Sequence, residues 1–595
     1  MGLLEQRELS KINRMKIIYK KSVATLFLTL LTSTVFSQET VSFQEISTSL
    51  KNYYFASSDI GDFDNDGDLD IILCGGTDSF NAGGPTETSC QLYRNDNGVY
   101  TPVTNFAVNP LHLGDVKFID IDNDGDLDII ISGQNYDNIM DHHLYIYKNT
   151  SGNFELFQQS EGLIYSAIDV ADFNNDGKQD FAITGVGSLT ANFSHLFTNN
   201  GSFSKSDLSV PKIQNGNIKI FDFNNDNQLD IAVLGIDING NNTFKVYKNI
   251  SGTLTLHQEL SPLSFGSLEI ADFNADGFLD IVASGYDNNL GNLIKVYFNN
   301  AQGNFTEVLS EEGVDLASGA KNIAVADINN DGYYDFIVSG DNDNYEGIIK
   351  AFTFDIATNN FNLITTDTGI FGLGGTSNIQ LFDYNGDNHP DLLLSGFAED
   401  DAGDYVSFTK LFKSEITSNN TAPNPPTTLN AQVTNGTITF NWSGASDDKT
   451  PENALTYYIK VGTTSGAKNL AYYKVSSKSW KLNLGTIPQN IYCSIESVDA
   501  SLIKSISSEE KIIGNLSVSE NRISNLKIYP NPTASFVTIQ SDLQVENINI
   551  YNQIGQLISS QKNTQVDLSN ASSGVYILHI DFEDGQKAMQ KIIKK

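Results

Sequence analysis

Between residues 54 and 412 one pattern of apolar and polar positions recurs seven times. A short alternating run, such as Val116-Lys117-Phe118-Ile119, leads into nine residues dominated by oxygen-bearing side chains. The first copy of these nine is Asp62-Phe63-Asp64-Asn65-Asp66-Gly67-Asp68-Leu69-Asp70. A fully apolar run follows, as in Ile129-Ile130-Ile131. It ends on a glycine five residues past the last Asp: Gly75, Gly133, Gly185, Gly235, Gly285, Gly340 and Gly396. After a polar stretch of variable length come a third run, as in Leu144 to Asn149, a Gly/Asn turn, and a fourth, as in Asn153 to Phe157. Alternation predicts a half-buried strand; an unbroken apolar run predicts a strand covered on both faces. Four short strands in a repeat of about 50 residues predict the blade of a β-propeller. The seventh repeat stops after its third strand, Val406 to Phe412. Val41 to Ile46, ahead of the first repeat, resembles the fourth-strand segment Asn304 to Val308. Pairing the two closes seven blades and removes two exposed sheet edges.

The pattern changes after the repeats. The expected fold is all-β: a seven-bladed propeller over residues 38–415, a linker over 416–428 rich in Pro, Asn and Thr, and two small sandwiches. In residues 429–513 the run Ile438-Thr439-Phe440-Asn441-Trp442 alternates, with Trp442 placed to plug a core. Tyr492, in the late strand Ile491 to Ile495, suits a tyrosine corner. The stretch from Trp442 through Asp447-Asp448 to Leu455–Gly462 resembles the fibronectin type III modules of bacterial secreted proteins. Residues 524–595 carry Leu526-Lys527-Ile528-Tyr529-Pro530-Asn531-Pro532-Thr533, then Gly555-Gln556-Leu557, then Ser573-Gly574-Val575-Tyr576, and close on Lys591 to Lys595. This order of motifs is similar to the C-terminal sorting domain of the type IX secretion system of Bacteroidetes. The resemblance implies the type IX secretion machinery as a partner, export across the outer membrane, and release or anchoring at the cell surface.

Residues 1–37 read as a secretory signal. Lys11, Arg14, Lys16, Lys20 and Lys21 precede the apolar run Val23 to Phe36, and Val35-Phe36-Ser37 suits cleavage before Gln38. That run is short of the roughly 20 residues of a membrane span, and no longer one follows, so no transmembrane segment is expected. The formal charge of -36 argues against nucleic acid, which needs a basic face. Three cysteines make no disulfide framework. Cys74 and Cys90 flank one hairpin, where they either pair or stay buried thiols, and Cys493 reads as core.

The acids fall at fixed places. Position 1 of the loop is Asp62, Asp120, Asp172, Asp222, Asp272, Asp327 and Asp383. Position 3 is Asp64, Asp122, Asn174, Asn224, Asn274, Asn329 and Asn385. Position 5 is Asp66, Asp124, Asp176, Asp226, Asp276, Asp331 and Asp387, and position 9 is Asp70, Asp128, Asp180, Asp230, Asp280, Asp335 and Asp391. Such a set suits a hard cation, which takes six to eight oxygens at about 2.3–2.6 Å. Position 7 varies (Asp68, Asp126, Lys178, Gln228, Phe278, Tyr333, His389), as a backbone carbonyl ligand would permit. Position 6 is glycine or, in Asn227 and Asn388, the next-best residue for positive φ. Position 12 lies inside an apolar strand, so the loop lacks the bidentate Glu of an EF-hand. Up to seven structural Ca2+ ions are expected, surest in loops one and two and least sure in loops four and seven. Magnesium, with its stricter octahedron, fits less well. The pattern resembles the FG-GAP or VCBS repeats of integrin α-like propellers and bacterial surface proteins.

Strand order puts the acidic loops on one face and the variable loops after each strand-ending glycine on the other. Function concentrates on variable loops held by a rigid scaffold. Tyr136, Asp137, Tyr286, Asp287 and Tyr345 there are candidates to contact a sugar, solvated turn residues being the alternative. No G-x-S-x-G or H-E-x-x-H occurs, so no catalytic residue is assigned. The expectation is a secreted or surface-displayed calcium-binding recognition protein for glycan or protein, with the second domain as a spacer. The alternative is a polysaccharide lyase or hydrolase on the same scaffold.

Overall fold

The computed structural model describes residues 41–77, 87–135, 141–188, 191–313, 321–341, 347–364, 374–399, 405–514, 526–552, 555–583 and 586–595. The expected signal, residues 1–37, lies outside them. In the first repeat the strands Tyr54–Gly61, Asp70–Gly76, Thr88–Asp96 and Val99–Pro102 form one antiparallel sheet in chain order. The second repeat does the same with His112–Ile119, Asp128–Gln134, His142–Thr150 and Asn153–Glu161. The pattern continues through the sixth repeat. The third and fourth sheets are joined by the single pair Phe193↔Ile213.

The apolar second strand is explained by what covers it. Ile129 and Ile131 pack with Phe63, Ile72 and Leu92 of the first repeat, whereas Ile130 packs with Ile168, Phe181 and Ile183 of the third. Every side chain of the strand meets a neighbouring sheet, so alternation would leave a polar group buried. Full burial of one such isoleucine stabilises by roughly 1.5–3 kcal/mol. First strands of successive repeats are neighbours, from Tyr54–Gly61 against His112–Ile119 onward. The last, Gly374–Phe382, again neighbours Tyr54–Gly61. Phe43–Ile46 pairs antiparallel with Tyr405–Ser414 in the register Phe43↔Ser414 to Ile46↔Leu411, which supplies the strand the seventh repeat lacks. The arrangement is propeller-like, and no described sheet closes on itself.

Residues 428–514 form two sheets. One is Thr428–Thr434, Thr437–Ser443 and Ser479–Asn483. The other is Ala471–Val475, Thr456–Gly462, Asn490–Val498 and Lys511–Gly514. Trp442, Tyr457 and the free thiol Cys493 lie in their shared core. This sandwich is not a spacer. It lies on the acidic-loop face of the repeats, where Asn483 N–H donates to Asn175 O at 2.6 Å and Asp327 N–H donates to Ala500 O at 2.8 Å. The C-terminal unit is a second pair of sheets around Val537, Ile548, Leu578 and Ile592. Cys74 and Cys90 face each other across one strand pair and are joined as a disulfide.

Candidate metal centre

Each acidic loop is wound by its own carboxylates. In the first, Asp62 Oδ1 accepts the Asp66 N–H at 3.1 Å, and Oδ2 accepts the Gly67 N–H at 3.1 Å. Asp66 Oδ1 then accepts the N–H of position 7, Asp68, at 2.9 Å. The bonds from positions 5 and 6 to position 1 recur in loops three to seven. The N–H groups of Lys178, Phe278, Tyr333 and His389 bond position 5 in the same way. Two residues per loop take positive φ. One is position 6, from Gly67 at 99° to Asn227 at 63° and Asn388 at 65°, so the two asparagine substitutes do the glycine's work. The other is position 4: Asn65, Asn123, Asn175, Asn225, Ala275, Asn330 and Gly386, at 56° to 74°.

Position 4 also links loop to loop, which the sequence pattern missed. Asn65 Nδ2 donates to Gly125 O, Asn123 to Gly177 O, Asn175 to Asn227 O and Asn225 to Gly277 O, at 2.9–3.0 Å. Each bond joins position 4 of one repeat to position 6 of the next. A second asparagine makes a similar link from the third strand. Buried Asn199 donates its N–H to Asp180 and its amide to Ile121 O of the preceding repeat, while its Oδ1 accepts Gly201 N–H. Asn95, Asn149 and Asn299 also reach the preceding loop. The signal was a third-strand ending in Asn through five repeats.

Position 9 also braces the loop. Asp70 Oδ2 accepts Phe63 N–H and Oδ1 accepts Asn95 N–H, so one carboxylate ties the loop to the third strand. All seven residues at this position are fully buried. Burial, with neighbouring carboxylates adding to it, pushes Asp70 and Asp180 up to about 7 and Asp128, Asp230 and Asp391 up to about 8. Burial likewise holds Asp120 at about 6 and Asp272 at about 7. Position 7 is used by side chain where it carries a carboxylate or amide oxygen: Asp68, Asp126 and Gln228 accept N–H groups of Asn97, Ser151 and Ser251.

Carboxylate oxygens from three acids lie within 4.8 Å of one another in three loops: Asp62, Asp64 and Asp66; Asp120, Asp122 and Asp128; and Asp383, Asp387 and Asp391. The seventh loop, ranked low on its sequence, is thus among those whose acids converge. In loop two, Asp120 Oδ1 is buried without a hydrogen-bond partner, and the ammonium of Lys148 lies against Asp122 and Asp124. Lys248 reaches Asp226 at 3.2 Å and Lys413 reaches Asp387 at 2.8 Å. An all-oxygen donor set with an orphaned buried oxygen and cations drawn to it suits a hard cation. Asparagine at position 3 weakens the set elsewhere, since Asn174, Asn274 and Asn329 donate to the position-5 acid.

On the opposite face Tyr286 is exposed. Asp287 is buried and caps its own turn, its Oδ1 accepting Asn289 and Leu290 N–H. It thus stabilises its own turn. Tyr136, Asp137 and Tyr345 lie outside the described residues.

Comparison with known proteins matches the same segments. Residues 62–131, 120–183, 172–233, 222–283 and 272–338 fit the model of the FG-GAP-like repeat, each match running from one acidic loop through the next. Residues 527–595 fit the secretion system C-terminal sorting domain. The chain is a secreted, cell-surface protein with FG-GAP-like repeats and a type IX sorting domain. Among the described residues no helix is long and apolar enough to cross a membrane. It is 32% identical over 84 residues to an ulvan lyase of Nonlabens ulvanivorans, a stretch that is 13% of this chain and 16% of that protein. The BP39L lectin of Burkholderia pseudomallei aligns at 12% identity over 60% of this chain and 100% of its own, with a TM-score of 0.41. The extracellular domain of a hybrid two-component system from B. thetaiotaomicron aligns at 10% identity over 80% of this chain and 57% of its own, with a TM-score of 0.35. The two structural likenesses are loose, and no functional reading rests on them.

Proposed function

We propose that the protein is a calcium-stabilised recognition protein of the cell surface, a seven-bladed propeller capped by a fibronectin type III-like module, that binds glycan or protein. The observation that carries this reading is the division of labour between the two faces. The acidic loops hydrogen-bond one another and are overlaid by the sandwich, as with Tyr473 OH on Asp172 Oδ2 at 2.5 Å. They suit structural ions and leave the opposite loops for a partner. Calcium would be held by positions 1, 3, 5 and 9 and the position-7 carbonyl, its charge offsetting the repulsion among converging carboxylates. Chelation should lower the melting temperature by roughly 10 °C, the size of several lost kcal/mol in a large domain. An unchanged melt removes calcium from the reading. A glycan array probed with and without chelator, followed by product analysis of each hit, tests recognition. Bond cleavage in a bound glycan would favour the alternative, a polysaccharide-degrading enzyme, which the 84-residue likeness to ulvan lyase supports weakly.

A further inference from the structure

Three residues before each acidic loop the first strand presents a side chain to the space the repeats enclose. In the first five repeats these are Asp59, Lys117, Asp169, Lys219 and Glu269, so charges alternate. Lys117 meets Asp59 at 2.9 Å and Lys219 meets Glu269 at 2.7 Å. Asp169 accepts Ile220 N–H and feels both lysines, and Lys321 pairs with Asp115. Each of these lysines thus has a carboxylate.

The sandwich lies across this space and adds three more, Lys468, Lys474 and Lys504. Among the described residues none of the three has a carboxylate within ion-pair distance. Lys468 lies 4.4 Å from the centroid of the Tyr472 ring and Lys504 lies 4.3 Å from that of Tyr458, contacts that attract a cation without neutralising it. The acids facing them are engaged elsewhere. Glu496 accepts Tyr472 OH and Ser507 OH, Asp499 accepts Ile503 N–H and the Asn420 amide, and Asp62 is committed to its loop. Burial and the nearby Lys504 push Lys474 down to about 8. The cavity they share measures about 810 Å³, within the range of small-molecule sites.

We infer that this cavity binds a small molecule bearing carboxylate or sulfate groups, with Lys474 and Lys504 as its counter-charges. The inference does not depend on what the opposite loops bind. An anion here completes the pattern the repeats begin, giving the last lysines the partner that Asp59 and Glu269 give the first. It also relieves the repulsion between Lys474 and Lys504 in a poorly solvated space.

Calorimetric titration of the full chain with digalacturonate, neutral galactobiose and inorganic sulfate, in calcium and low salt, tests it. Digalacturonate should bind with a Kd of about 1 mM or tighter, and galactobiose should not. Lys474→Met and, separately, Lys504→Gln should each weaken binding about tenfold, whereas Lys460→Met, on the same sheet but outside the cavity, should not. Sulfate binding as tightly as digalacturonate supports the site and assigns it to free oxyanions. No binding of either anion, or equal affinity in Lys474→Met and Lys504→Gln with melts like the parent's, overturns it.

Discussion

In the first four repeats an asparagine at loop position 4 donates to the next loop, from Asn65 to Gly125 through Asn225 to Gly277. In the fifth, Ala275 holds the same left-handed backbone with no amide to donate. Asn330 of the sixth turns to Ser418 of the linker, and Gly386 of the seventh has no side chain. What the later repeats lack is supplied from farther along the chain. Asp327 N–H meets Ala500 O, Lys449 Nζ meets Asn330 O, and Asn388 and Asn420 exchange amide bonds. The backbone shape of the loop and its link to the next are therefore separate devices. The first four repeats are fastened loop to loop as well as by the sandwich, as at Asn175 and Asp172, whereas the later three rely on the chain that follows.

The largest test of that contrast is a chain ended after residue 415. Its melting temperature should fall by roughly 10 °C, since several net hydrogen bonds of about 1 kcal/mol each go with buried area. Hydrogen exchange should accelerate more in repeats five to seven than in repeats one to four, which keep their loop-to-loop bonds; uniform acceleration would dissolve the contrast.

Asp499 probes the same junction by pH. Burial pushes its carboxyl up to about 7 from an ordinary 3.8. The folded value exceeds the unfolded one, so its contribution is full below about pH 4 and is lost as pH rises through 7, by at most about 4 kcal/mol. Asp499→Asn should remove that slope, so its melting temperature should gain on the parent's between pH 4 and 8. Parallel curves would show that the carboxyl titrates normally.

Among these loop-to-loop links, Asn199→Ala leaves the Ile121 carbonyl and the Gly201 N–H short of a partner. It should cost about 2–3 kcal/mol in denaturant unfolding. The smallest effect runs the other way. Ala275→Asn restores the missing link and should stabilise by about 1 kcal/mol, given that asparagine tolerates the positive φ already present. A loss of stability there would mean that the sixth loop's carbonyl at Gly332 is not within reach.

Much of this was readable in the chain. The four-strand repeat, the doubly covered second strand and the strand borrowed from the front follow from alternation and spacing, because each neighbour lies one repeat away. The acids were readable as a set, but their roles were not. Asp70 and its equivalents read only as ligands, yet they also brace the loop, since what they accept from is set by a third strand some 25 residues on. The link from Asn65 was not readable, because its partner is chosen by which loop lies alongside. The docking of the sandwich left no trace at all. Lys468, Tyr473, Lys481 and Asn483 are unremarkable singly, and only the fold brings them to one surface.

The strand Phe43–Ile46 bears on the order of events in time. It is made first, yet its partner Tyr405–Ser414 is made last among the repeats; Ser42 Oγ reaches Glu415 across 373 residues. Until that late segment emerges, the first strand has nothing to pair with and the seventh sheet stays open. The entropy of joining such distant ends grows only slowly with length, so the delay lies in synthesis more than in closure. A chain bound for export thereby remains incomplete, and easier to thread, for almost the whole time its repeats are being made.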